Sequence, residues 1–130
     1  MKEQSDIPKP TDSEMEVLEF LWEQGSATVR QVNDRINQRR ETGYTTTLKI
    51  MQIMHAKGML ERIEEGRTHI YTPLVGERQT RQKLLDRFLE TTFRGSAASL
   101  VLQALGNTQT TRDELNQIRR LLDQLENDKN

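Results

Sequence analysis

Hydrophobic residues recur at helical spacing in three successive stretches before residue 60. In residues 11–25, Met15, Leu18, Leu21 and Trp22 share one face, with Val17 and Phe20 widening it and Gly25 ending the run. Thr11 and Ser13 each have a glutamate three residues on, Glu14 and Glu16, so either can open this helix with a capping box. A short extended piece, Ser26-Ala27-Thr28, follows. Val29, Val32 and Ile36 then repeat at i, i+3 and i+7 behind Thr28, a natural N-cap. The third stretch, residues 44–57, sets Thr47, Ile50, Met51 and Met54 at i, i+3, i+4 and i+7, and Gly58 stops it. Residues 59–64 and 67–74 read as two strands joined around Glu65-Gly66. Ile63, Ile70 and Tyr71 suit a half-buried sheet, and Pro73 closes the hairpin.

Three helices followed by a hairpin is the order of a winged helix, and the third helix has an unusual polar face. Thr45, Thr46, Lys49 and Gln52 point away from its apolar stripe. Short hydroxyls, an amide and one cation suit base edges and phosphates, as on a helix laid in the major groove. Gln52 can pair with adenine, Lys49 can reach guanine, and Leu48 can touch a thymine methyl. Thr45 and Thr46 open the helix, where each can contact phosphate or cap the helix, Thr45 about equally well in either role. Arg67 beside Gly66 sits at the wing tip; Arg62, Lys57, Arg30 and Thr28 are further candidates for the backbone. Tyr44 is expected to pack at the helix start, with its hydroxyl near phosphate.

Residues 77–127 follow another pattern. Leu84, Leu85, Phe88, Leu89 and Phe93 line one helix over 77–93, and Arg94-Gly95-Ser96 breaks it. A short apolar helix over 97–105 includes Leu100, and Gly106-Asn107 is expected to turn. Thr110 or Thr111 caps a last helix in which Leu115, Ile118, Leu122 and Leu125 recur at alternating three and four. Three short amphipathic helices bury little among themselves, so a second copy of the chain is the expected source of the missing burial. The expected organisation is a loose arm over 1–10, a winged-helix domain over 11–75 and a helical dimerisation region over 77–127.

Composition narrows the function. A chain of 130 residues that is 33% apolar and 30% charged has room for one small core and an appendage. Without cysteine it can form neither disulfides nor thiolate metal sites. No run is long and apolar enough to span a bilayer, and the first residues lack the apolar centre of a leader, so a cytoplasmic protein is expected. Net charge is −1, but residues 28–72 hold eight Lys/Arg against five Asp/Glu, a local excess of +3. His55 and His69 have no clustered acidic partner, and there is neither a glycine-rich phosphate loop nor a nucleophile–base pair. No metal, no cofactor and no enzymatic activity are expected.

Several segments in order resemble the BlaI/MecI/CopY family of penicillinase and methicillin-resistance repressors. They are Thr11-Asp12-Ser13-Glu14-Met15-Glu16-Val17-Leu18 leading to Leu21-Trp22, then Thr28-Val29-Arg30-Gln31-Val32, then Tyr44-Thr45-Thr46-Thr47. Lys57-Gly58-Met59-Leu60, Gly66-Arg67 and Tyr71-Thr72-Pro73-Leu74-Val75 complete the match. The resemblance implies a dimeric winged-helix repressor that binds double-stranded inverted-repeat operators, typically with TACA/TGTA half-sites. It further implies release either by a membrane sensor protease cutting an Asn-Phe bond or by metal binding to a cysteine cluster. The chain has no cysteine, Gln103-Ala104 stands at the cleavage position, and Ile53 stands where the family often carries arginine. Two functions therefore follow: a dimeric DNA-binding repressor, or a winged-helix interaction module that binds DNA weakly.

Overall fold

The computed structural model describes residues 9–107 and 109–129. Most of the expected N-terminal arm, residues 1–8, lies outside the described residues, and Pro10 at its end is buried rather than loose. Helix α1 (Asp12–Gln24) starts at Thr11, whose hydroxyl accepts from the Glu14 amide at 3.2 Å while the Glu14 carboxylate accepts from the Thr11 amide at 2.9 Å. Helix α2 (Val29–Asn37) is capped the same way by Thr28 and Gln31. Each box satisfies donors that a helix start would otherwise leave free. Helix α3 (Tyr44–Ala56) differs: Gly43 is its N-cap and no side chain caps it.

Strands β1 (Leu60–Glu65) and β2 (Thr68–Pro73) pair antiparallel around Gly66, whose φ of 66° suits a tight turn that other residues resist. Ala27 exchanges backbone hydrogen bonds with Tyr71 at 3.0 and 2.9 Å, so the extended piece between α1 and α2 adds a bridge to the sheet. The core between these elements comprises Val17, Leu18, Leu21, Val29, Val32, Ile36, Met51, Met54, Met59, Leu60 and Tyr71. Trp22 donates its indole N–H to the Val75 carbonyl at 2.9 Å, fastening the end of the hairpin to α1.

One strand expectation fails. Ile63 is 51% exposed. In the observed register Tyr71 faces Arg62 and Ile63 faces Ile70, and directly paired residues project to the same side. Tyr71 takes the core side, so Ile63 and Ile70 take the other.

Beyond the hairpin lie α4 (Glu77–Phe93), α5 (Ala97–Asn107) and α6 (Arg112–Asp128). Thr111 caps α6, with Glu114 closing the box. The turn expected at Gly106-Asn107 is instead the last turn of α5, where the Asn107 side-chain amide donates to the Gln103 carbonyl at 3.2 Å. The chain separates into two units, residues 1–86 and 87–130, and the division falls inside α4. Thr80, on the first turn of α4, is fully buried within the first unit. In the second unit Phe88 and Phe93 meet edge to face with centroids 5.7 Å apart.

Candidate nucleic-acid interface

The outward side of α3 is set by its inward side. Thr47, Met51 and Met54 are buried, so Thr45, Thr46, Lys49 and Gln52 project outward, and all four are exposed. None of their side chains has a hydrogen bond or ion pair among the described residues. Thr45 does not cap the helix, contrary to one of its two expected roles, because the helix begins earlier, at Tyr44. Tyr44 also departs from expectation: it is 46% exposed rather than packed. Leu48 is half-buried and packs on the core.

A polar network that no local sequence pattern announces holds α3 at its angle to α2. The Thr47 hydroxyl lies 2.5 Å from the Asn33 side-chain amide. With its nitrogen toward α3, that amide has the Thr47 hydroxyl and the Thr42 and Gly43 carbonyls, the carbonyls at 3.2 Å each, as acceptors for its two hydrogens, and its oxygen accepts from the Asn37 side-chain amide at 3.0 Å. Asn37 further donates to the Thr42 carbonyl at 2.9 Å and accepts from the Thr42 amide at 2.8 Å. The turn between the helices is therefore closed by two asparagines of α2, and the buried Thr47 hydroxyl is satisfied.

Ion pairs sort the cations. Arg35 donates to both Glu23 carboxylate oxygens at 2.9 and 3.3 Å and stacks 4.6 Å above the Phe20 ring. That hydrogen bond, aided by the charge, holds the Glu23 carboxyl below its ordinary value and raises Arg35. Arg40 pairs with Glu16. Lys57, expected on phosphate, instead donates to the buried Glu14 carboxylate at 2.9 Å and ties the end of α3 to the start of α1. Arg30, Lys49, Arg62 and Arg67 have no carboxylate partner among the described residues.

Two of these free cations border a groove of about 400 Å³ between the starts of α2 and α3 and the hairpin. Thr28, Arg30, Tyr44, Leu48, Arg67 and His69 line it. Thr28 serves both its cap and this wall. His69 pairs across the strands with Glu64 at 3.3 Å. Tyr71 closes the groove; its ring stands edge-on to His55, and its buried hydroxyl has no partner among the described residues. Such a groove, flanked by guanidinium groups and an exposed α3 face, is suited to holding a polyanion through charge-assisted hydrogen bonds. Among the described residues no cluster of side chains could hold a metal ion, and no helix is long and apolar enough to cross a membrane.

The penicillinase repressor profile matches residues 10–124, nearly the whole chain. The chain belongs to the penicillinase repressor family. It is 28% identical over 123 residues to the penicillinase repressor of Bacillus licheniformis, covering 95% of this chain and 96% of that one. It is 29% identical over 117 residues to the transcriptional regulator BlaI of Mycobacterium tuberculosis, covering 88% and 83%. The solved DNA-binding domain of the repressor BlaI superposes with a TM-score of 0.52 at 28% identity, over 61% of this chain and 93% of that domain. That match bears out the winged-helix fold expected from the order of the elements.

The residues expected to dimerise occupy α4, α5 and α6. Leu84, Leu89, Phe93, Leu100, Leu115 and Ile118 are half-buried, whereas Leu85, Phe88, Leu122 and Leu125 are 45%, 48%, 55% and 47% exposed. No residue of α5 or α6 is buried within the single chain. Gln103 and Ala104 are exposed on α5.

Proposed function

We propose that the protein is a dimeric repressor that lays α3 in the major groove of an inverted-repeat operator and its hairpin against the adjoining backbone. The observation that carries this reading is the selective pairing of its cations. Among the described residues of the winged-helix region, Arg35, Arg40 and Lys57 pair with carboxylates of α1, while Arg30, Lys49, Arg62 and Arg67 around α3 and the wing, and Arg39 just after α2, have no carboxylate partner. The cations left unpaired around α3 and the wing are available to a polyanion. Family membership and the likeness to a DNA-binding domain support the same reading.

In this reading Lys49 and Gln52 address base edges, with Thr45 and Thr46 at the start of α3 beside them. Arg30, Thr28, Tyr44 and Arg67 hold a strand of the backbone at the groove, and Arg62 adds charge along β1. Leu48 fills the wall of the groove. Lys57 acts within the fold and is no longer assigned to phosphate.

The exposed apolar side chains of α4–α6 support the dimer. Leu102 is 73% exposed and Leu122 is 55% exposed, a state that burial against a second copy relieves at about 25 cal/mol per Å² of apolar area. Release by a sensor protease would require α5 to unwind around Gln103-Ala104, since the peptide lies within helix. As a member of a repressor family the chain acts by binding, in the cytoplasm where its DNA lies.

Selection from a random duplex library tests the reading. Full-length protein should enrich an inverted repeat whose half-sites are spaced by about one helical turn. No enrichment, or enrichment of single half-sites only, contradicts it.

A further inference from the structure

We infer that Ile53 is a specificity-determining residue that reads the C5 methyl group of a thymine in the major groove, an inference that rests on the DNA-binding reading above. Besides Tyr44 at its start, five large apolar residues lie on α3. Met51 and Met54 are buried, and Leu48 and Ile50 pack against the core. Ile53 does neither: it is 42% exposed and lies outside the packed set. The packing of this unit therefore does not by itself assign its exposed surface a role.

Its position gives it one. Thr46, Lys49 and Ile53 stand at i, i+3 and i+7 on α3, so they form one exposed strip, with Lys49 facing away from the stripe of Thr47, Met51 and Met54 and Ile53 beside it. Lys49 and Ile53 are one turn apart, about 6 Å along the helix axis. A helix that brings Lys49 to one base edge brings Ile53 to a neighbouring one.

The chemistry then selects the base. In the major groove thymine alone presents an apolar group, its C5 methyl. The branched end of isoleucine offers neither donor nor acceptor. Against that methyl it removes apolar surface from water, whereas against the cytosine amino group or a purine N7 it leaves a polar atom desolvated and unpaired. Attraction to one base and rejection of the others act in the same direction.

Replacing thymine by deoxyuridine removes the methyl and leaves every hydrogen-bonding group in place, so it isolates this contact. The probe is the inverted repeat enriched from the random duplex library, with each thymine changed to deoxyuridine in turn. At one thymine per half-site the change should weaken the wild-type protein about fourfold, the effect of one buried methyl. The same change should leave Ile53→Ala unaffected, and Ile53→Val, shorter by one methylene, should keep part of the penalty. The inference is overturned if no thymine shows the effect, or if the effect persists undiminished in Ile53→Ala. A library that yields no enriched duplex overturns the DNA-binding reading itself, and this inference with it.

Discussion

At the residue scale, function follows from which polar groups the fold leaves without partners. Lys49 is exposed on the outward strip of α3 and has no partner among the described residues. If it reads a base, Lys49→Ala should cost about 1–3 kcal/mol at one position of the half-site and little elsewhere. A loss of equal size on every duplex would place it on phosphate instead. Lys57 makes the opposite case. Lys57→Ala leaves the Glu14 carboxylate, only 4% exposed, without its cation. Because the lysine itself is partly solvated, the expected destabilisation is moderate, about 1–2 kcal/mol in a urea titration. The salt dependence of DNA binding should not change, and a shallower salt slope would return Lys57 to the phosphates. The difference between these two lysines was not legible in the sequence. Both follow the same helical pattern, but the partner of Lys57 lies in a helix 43 residues earlier, and no local periodicity reveals such a pair.

At the scale of elements, the helices were legible because each carries its stripe and its stop signal within a few residues. Thr11, Thr28 and Thr111 cap helices as their downstream Glu or Gln residues indicate. The faces of the hairpin were not legible, since Ile63 and Tyr71 look alike until the register assigns them to opposite sides. The turn network was equally hidden, because asparagine near a helix end is commonplace and only tertiary placement gives Asn33 and Asn37 their partners. Asn33→Ala removes the group that the Thr47 hydroxyl faces in the interior. It should cost about 1–3 kcal/mol of stability by chemical denaturation, and a neutral result would remove the network from the account of the turn. The α1–α2 clamp should respond to acid. Arg35 depresses the Glu23 carboxyl below its usual value of 4.5. A depressed acid contributes stability above its unfolded-state pKa and loses it as pH falls through the folded one. The melting temperature of Glu23→Gln should therefore lie slightly below wild type at pH 7, with the gap closing in acid below the folded-state pKa. A gap that persists there contradicts the ion pair as its cause.

At the scale of the whole molecule, the two units divide the work proposed for them. Residues 1–86 hold the core, the groove and α3; residues 87–130 hold helices whose apolar side chains find little cover in one chain. Because Thr80 is fully buried in the first unit, truncation should be made after Asp86 rather than before Glu77. A fragment of residues 1–86 should fold as a monomer and bind the selected repeat far more weakly than the full chain, as sedimentation and DNA titration would report. A fragment that still dimerised would contradict the assignment of dimerisation to α4–α6. The central claim is that free cations of a chain whose net charge is −1 meet the DNA backbone. It is tested most directly by measuring the affinity of the full-length protein for the selected duplex across a series of salt concentrations. If four to six phosphates are neutralised per dimer, log K should fall against log salt with a slope of about −3.6 to −5.4. A flat dependence would show that Arg30, Arg62 and Arg67 do not meet phosphate and would contradict the account.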